Sequence, residues 1–238
     1  MVRLKRMLVM AIPAMALTAS GCDILKDATT VKVCTEWQKV AVDTAQIGVS
    51  ASGASVPDIP CTAGGVDVCG QASSQISCGG ASYDCAVQCG ASAKCEVEAT
   101  VKAPAQTIDL SNKIQNSFQA SAIDKVSLDG VEYRVSANSL NFDTPAISIY
   151  VGPNTAAKVG DGGVVLFASM PTIPRGTTPA SALTPTAAGQ AALSGFVKNY
   201  QTPFKLLSTA TLKFQAGDTL PAGKLDASLR ACFKISAL

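Results

Sequence analysis

Apolar and polar residues alternate over much of the chain beyond residue 29, which is the pattern of β-strands that bury one face. In the first alternating segment, Val33 and Trp37 share the predicted core face. The two longest segments come last and predict a pair of long amphipathic strands. The alternating segments cover 30–37, 96–102, 131–135, 147–151, 204–214 and 225–235.

Turn residues and a continuous apolar run complete the strand prediction. Asp129-Gly130 has the chemistry of a two-residue hairpin loop, so 126–137 is predicted to be a hairpin. Val164 to Phe167 is apolar throughout, which predicts a strand covered on both faces. Asp161-Gly162-Gly163 supplies the turn before that strand.

Two segments have the periodicity of short helices. Residues 111–123 repeat an apolar residue every four positions, with Ser111 as the capping residue. The second helix is predicted to begin with Thr184 as the cap and Pro185 at the first helical position, and to stop before Pro203.

These elements predict a mainly β fold. About seven strands separated by turn residues favour an antiparallel β-sandwich. One or two short helices are expected to pack at an end or over an edge. A small cysteine-rich insertion, held by disulfides, is expected beside the sandwich.

The first 22 residues have the layout of an export signal. Basic residues lie within the first six positions, an apolar stretch of eleven residues interrupted only by Pro13 spans 7–17, and small residues follow up to Gly21. The apolar run is too short for a stable transmembrane helix, which needs about 20 residues. Ala19-Ser20-Gly21-Cys22 resembles the lipobox of bacterial lipoproteins. The alternative is an ordinary secretory signal followed by a chance cysteine.

The lipobox resemblance implies that residues 1–21 are removed and that Cys22 becomes a lipidated first residue. Two or three acyl chains, at about 0.8 kcal/mol per buried CH₂, make such attachment effectively permanent. Eleven residues separate Cys22 from Cys34, so the folded part is expected close to the bilayer. Asp23 is similar to an inner-membrane retention signal of enteric bacteria. The choice between inner and outer membrane, and between periplasmic side and cell surface, stays open.

Removing the signal changes the charge of the chain. Three basic residues leave with 1–21, so the remainder has 16 basic and 17 acidic residues and a net charge of −1. This near-neutral chain offers no electrostatic footprint for nucleic acid.

Eight cysteines remain after Cys22, and an even number in an exported chain predicts four disulfides. Six of them fall within 61–95, a glycine-rich segment too short to become ordered without covalent links. The pairing among these six stays open. Metal binding is the alternative, but the chain has no CxxC pair and no histidine, so the usual zinc spacing is missing. The eight are Cys34, Cys61, Cys69, Cys78, Cys85, Cys89, Cys95 and Cys232.

Strand parity predicts one disulfide. Side chains alternate between faces along a strand. Cys34 falls on the polar face of the first predicted strand, and Cys232 falls on the polar face of the last. They are the two cysteines outside the cluster, and neighbouring strands bring outward positions within bonding range. We therefore expect a Cys34–Cys232 disulfide.

The predicted organisation has four parts. They are the signal (1–21), the lipidated N-terminus with its first strand and loop (22–60), the cysteine-rich module (61–95) and the sandwich (96–238), which the strand at 30–37 is expected to join.

No combination of residues points to catalysis, a cofactor or a metal. The absence of histidine removes the commonest general base, and no serine lies in a Gly-x-Ser-x-Gly context. The carboxylate pairs Glu96/Glu98 and Asp124/Asp129 fit a solvated strand face and a turn better than a glycosidase acid–base pair. The turn at 161–163 lacks the spaced oxygen ligands of a calcium loop.

Among the aromatic residues, Trp37, Tyr133 and Tyr200 follow core-facing patterns, whereas Tyr83 and Tyr150 are the two expected at the surface. The leading hypothesis is a lipid-anchored cell-envelope protein with a non-catalytic structural or protein-interaction role and an envelope partner. The alternative is a binding protein for an apolar or lipid ligand, held in a cavity between long strands and a helix.

Overall fold

The computed structural model describes residues 30–46, 55–56, 58–73, 83–115 and 123–237. Within these residues the protein is mainly β, and every strand pair is antiparallel. In chain order the strands are β1 (Thr30–Cys34), β2 (Gln38–Asp43), β3 (Thr62–Ala63), β4 (Val66–Asp67), β5 (Tyr83–Cys89), β6 (Cys95–Ile108), β7 (Ile123–Asn138), β8 (Ile147–Pro153), β9 (Val165–Met170), β10 (Ala180–Leu183), β11 (Phe204–Phe214) and β12 (Lys224–Ala237). The α-helices are α1 (Val68–Ser73), α2 (Ser111–Gln115) and α3 (Ala187–Lys198), and Thr44–Gln46 form a 3₁₀ turn. The described residues thus contain three α-helices, where the sequence predicts one or two.

Strand β12 is the centre of the first sheet. Strand β7 pairs with it on one side, and β10 extends that side. On the other side β1 and β2 lie end to end, with Thr30 opposite Ser236 and Asp43 opposite Lys224. The start of the described chain therefore lies at one end of β12, which is both the last strand of the chain and the central strand of this sheet.

The first predicted strand is interrupted between β1 and β2. Three residues at 35–37 shift the parity, so Val33 and Val40 both face the core but Trp37 does not. The Trp37 ring lies on the outer face of the sheet, with its centroid 4.2 Å and 4.5 Å from the guanidinium carbons of Arg134 and Arg230. The expectation that Trp37 packs in the core is wrong, because the break moves its side chain to the opposite face.

The predicted hairpin at 126–137 is also wrong. Strand β7 continues through Asp129-Gly130 and is paired with β12 along its length. The register shifts between Cys232 and Phe233, so Asp129 is the extra residue of a β-bulge. Asp-Gly suits a bulge as well as a turn, and the long partner strand decides between them.

The second sheet has the order β5-β6-β11-β8-β9. The end of the cysteine-rich segment belongs to this sheet, since β5 is its edge strand and β6 begins at Cys95. The other described part of that segment forms the small β3–β4 hairpin and α1, which packs against β5.

Strand β9 is the other edge of the second sheet. The sequence predicts that this strand is covered on both faces, but Leu166 on its outer side is 38% exposed, so that prediction is wrong. Helix α3 packs on β9, with Gly189 against the backbone of Phe167. The N-cap is Thr186, whose hydroxyl accepts from the Gly189 N–H, so the helix begins two residues later than predicted.

The two sheets face each other in a sandwich and share one core. The largest fully buried side chains include Phe233, Leu225 and Ile235 of β12 and Phe167 and Ile149 of the second sheet. The predicted antiparallel β-sandwich is confirmed, with α3 packed against β7, β8 and β9.

Tyr83 joins an edge of one sheet to an edge of the other. Its hydroxyl donates to the Asp43 carbonyl at 2.9 Å and accepts from the Asp43 N–H at 3.1 Å. Burial raises the pKa of this phenol. Tyr83 is 6% exposed, so the expectation of a surface aromatic is wrong there, while Tyr150 is half-buried.

Candidate functional site

Cys34 and Cys232 form a disulfide across the first sheet. They are direct register partners in the pairing of β1 with β12, as the parity argument predicts. The bond links positions 198 residues apart and fixes the edge strand that leads back toward Cys22. Cys22 itself, with the whole predicted signal, lies outside the described residues.

The cysteine-rich segment is linked by Cys61–Cys89 and Cys69–Cys95. Cys89 and Cys95 face each other across the β5–β6 hairpin, yet each bonds to the segment that holds α1 and the β3–β4 hairpin. Cys85 is disulfide-bonded as well, whereas Cys78 lies outside the described residues. These bonds attach the segment to the end of the second sheet.

Asp129 lies in a small ionic cluster beside the Cys34–Cys232 disulfide. Lys234 lies 2.6 Å and Lys32 2.8 Å from its carboxylate, and hydrogen bonds from Lys234 and then Lys32 lower its pKa from 3.8 to about 2. A carboxyl with so low a pKa stays ionised near neutral pH and cannot donate a proton as a general acid. The cluster instead ties β1, the bulge of β7 and β12 together.

The other carboxylate pair is equally engaged. Glu98 forms an ion pair with Lys213 at 3.1 Å, and the Gln88 amide donates to both Glu96 and Glu98. The Asp124 side chain lies outside the described part. Among the described residues no group of three histidine, cysteine, aspartate or glutamate side chains could hold a metal ion.

The described residues leave small gaps between the two sheets. Two gaps in the described interior, one beside Phe167 and Leu229 and one beside Val42 and Ala210, measure about 10 Å³ each. Such a volume scarcely holds one water molecule. The lipid cavity expected between the strands is not found at either place.

A larger apolar cavity lies on the outer face of the second sheet, and we call it the sheet-two groove. It measures about 670 Å³, within the range of small-molecule sites. Its residues come from β6, from β11 and from the loop after β8. They are Thr100, Lys102, Ala103, Pro104, Ala105, Ala157, Lys158, Val159, Leu207, Ser208 and Thr209.

A polar cavity of about 680 Å³, which we call the end cleft, lies where β11 ends. The Phe142 and Phe214 rings meet edge to face in its wall, and Asp143, Arg175 and Asp218 line it. The carboxylate of Asp143 accepts from the Arg175 backbone N–H at 2.8 Å. The exposed Arg175 guanidinium makes no ion pair with any described residue, so the cleft presents a cation beside aromatic and hydroxyl groups.

Neither cavity can be predicted from the sequence, because each is assembled from three or more distant segments. Pro104 is the one local sign of the sheet-two groove, since proline within an alternating strand indicates a bulge. No helix in the described part has the length and apolar character needed to cross a bilayer. Comparisons with protein-family models, with curated proteins and with solved structures find no match.

Proposed function

We propose that this protein is a lipid-anchored component of the bacterial cell envelope, attached through Cys22, with a non-catalytic interaction role. The observation that carries the proposal is the Cys34–Cys232 disulfide, taken with the lipobox-like sequence. Stable structural disulfides belong to oxidising compartments. An exported chain with a cysteine at the cleavage position is the setting in which both features arise together.

The proposed anchor would lie near one end of β12, and the end cleft lies near the other. Seven residues separate Cys22 from Thr30. The eight steps from one Cα to the next reach at most about 28 Å. Thr30 pairs near the last residue of β12, whereas the end cleft adjoins its first, because Asn141 in the cleft hydrogen-bonds to Leu220 and Ala222. Strand β12 has 14 residues, so about 44 Å of strand separates the two ends.

This arrangement supports an interaction role for the end cleft. The end cleft lies at the end of β12 that is farther from the proposed tether, so a partner in the aqueous phase can reach it. The low pKa of Asp129 and the hydrogen bonds and ion pair made by Glu96 and Glu98 favour a non-catalytic role. Turnover by the purified protein across a panel of hydrolase substrates would contradict that part of the proposal.

Metabolic labelling tests the anchor. Cells that express the full chain are grown with an alkyne analogue of palmitate, and the membrane and soluble fractions are compared. The wild type should be labelled and membrane-bound, and Cys22→Ser should lose the label and become soluble. Lys26→Ser, a change in the same linker, should behave as wild type. An unlabelled wild type, or a labelled Cys22→Ser variant, contradicts the anchor.

Site-specific photo-crosslinking tests the end cleft. A photoreactive residue at Thr219, an exposed position in the cleft, should give a discrete adduct in intact cells. The same residue at exposed Thr202, beyond α3, should not. Equal adducts at both positions, or none at either, contradict an interaction through the cleft.

The sheet-two groove favours a second function, the binding of an apolar or lipid ligand. This groove lies on the outer face of the second sheet, whereas the ligand site expected from the sequence is a cavity between long strands and a helix.

A further inference from the structure

The floor of the sheet-two groove is an apolar patch on a face that usually meets water. Leu207 of β11 points away from the core, since Leu206 and Ser208 on either side of it pair with the buried Val151 and Ile149. Leu207 is nevertheless 4% exposed. The register of β6 with β11 shifts opposite Leu207, so Pro104 and Ala105 form the bulge beside it. Strand irregularity and the neighbouring loop thus create a recess around Leu207.

The loop that forms the wall of the groove is held in place by Asp161. Its carboxylate accepts from the backbone N–H groups of Ala157 at 2.8 Å and Lys158 at 3.1 Å. These two bonds lower the pKa of Asp161, the bond from Ala157 most. The loop is therefore fixed with Val159, which is 39% exposed, at the edge of the groove.

The lining of the groove has positive charge and no carboxylate. Lys102 and Lys158 contribute ammonium groups, and the other lining residues are apolar or carry hydroxyls. Lys102 already pairs with Asp84, and the Asp161 carboxylate is directed to the loop backbone. Lys158 is exposed and belongs to no ion pair among the described residues. Its charge attracts the Asp161 carboxylate, but the hydrogen bonds to the loop backbone lower the pKa of Asp161 more, so the Lys158 ammonium is the cation available to a ligand.

An apolar recess with one available cation at its edge is complementary to an anionic amphiphile with a single chain. We propose that the sheet-two groove binds a free long-chain carboxylate, with the acyl chain along Leu207, Pro104 and Val159 and the carboxylate at Lys158. A concave site that encloses a chain suits a single molecule better than the flat surface of a bilayer. This inference rests on the second function proposed above and names its ligand class.

Titration with cis-parinaric acid, a fluorescent 18-carbon fatty acid, tests the proposal. The protein is the full mature chain carrying Cys22→Ser, so no acyl chain of an anchor competes and the result does not depend on whether the anchor exists. Saturable binding of one molecule below the micelle concentration is expected, with displacement by palmitate. Hexadecanol, which has the same chain length without the charge, should displace it about tenfold less well.

Variants locate the site. Lys158→Glu should weaken binding about tenfold, because it replaces the available cation with a like charge. Val159→Asp should weaken it as well, by placing a carboxylate at the apolar edge. The controls are Lys198→Glu and Val66→Asp, two exposed positions outside the groove, and they should bind as the parent does. Unchanged circular dichroism of all four variants excludes misfolding.

Three results would overturn the proposal. The first is the absence of saturable binding. The second is equal loss of affinity in the groove variants and the controls. The third is binding to vesicles of anionic phospholipid without binding of monomeric fatty acid, which would assign the groove to membrane contact.

Discussion

Removal of the Cys34–Cys232 disulfide is expected to destabilise the protein more than removal of either of the other two disulfides between described cysteines. The bond closes a loop of 198 residues, whereas Cys61–Cys89 closes one of 28. The chain-entropy relation gives about 5 kcal/mol for the long loop and about 3.6 kcal/mol for the short one at 25 °C. The paired variant Cys34→Ala/Cys232→Ala should therefore lose about 1.5 kcal/mol more than Cys61→Ala/Cys89→Ala.

Urea unfolding followed by intrinsic fluorescence measures both losses. In the described part of the chain, β1 pairs with β12 alone, and its residues Thr30, Val31 and Lys32 are exposed. Its amide hydrogens should therefore exchange faster in the Cys34→Ala/Cys232→Ala variant, while those of β11 should change little. A loss below 1 kcal/mol for the long-range bond, or one smaller than for Cys61–Cys89, would refute the reasoning from loop length.

Three further predictions compare residues of one type in different surroundings. Tyr83→Phe should cost about 1–2 kcal/mol because it leaves the Asp43 amide and carbonyl unpaired. Tyr200→Phe should be neutral or stabilising, because the buried Tyr200 hydroxyl has no hydrogen-bond partner among the described residues, and chemical denaturation of both variants measures the sign. Gly189→Ala should destabilise the protein by about 1–3 kcal/mol because the new Cβ would lie 2.5 Å from the Phe167 Cα. Gly195→Ala, with open space around it, should stabilise α3 by about 0.5–1 kcal/mol. Thermal unfolding distinguishes the two variants, and equal effects would contradict the packing of α3 on β9. The pKa of Asp129 is lowered from 3.8 to about 2, so the contribution of this carboxylate to the free energy of unfolding is complete above about pH 4 and is lost as the pH falls toward 2. Asp129→Asn should therefore flatten the dependence of stability on pH in that window, and an unchanged dependence would contradict the ionic cluster.

The features predicted well from sequence depend on the two-residue period of a strand. The long strands at 204–214 and 225–235 follow from parity. The Cys34–Cys232 pairing follows from parity together with the position of both cysteines outside the 61–95 cluster. The register of β1 with β12 then places the two cysteines opposite each other. Parity is a local property, so it can be read without knowing the partners of a strand.

The failures occur where a distant partner decides between two local structures. Asp129-Gly130 is compatible with a turn or a bulge, and the length of β12 selects the bulge. Trp37 follows the alternation of its segment, but three residues between β1 and β2 reverse its side, toward Arg134 and Arg230. The sheet-two groove depends on a bulge in β6 and on a loop fixed by Asp161, which alternation does not reveal.

Intact mass spectrometry under non-reducing conditions, on protein purified from its native membranes, tests export and lipid attachment together. If both are correct, the chain begins at Cys22, carries the added mass of a diacylglyceryl group, and gains no further mass when treated with a thiol-alkylating reagent. A chain that retains residues 1–21, with an unmodified Cys22 and alkylatable thiols, would contradict both the lipid anchor and the oxidising compartment.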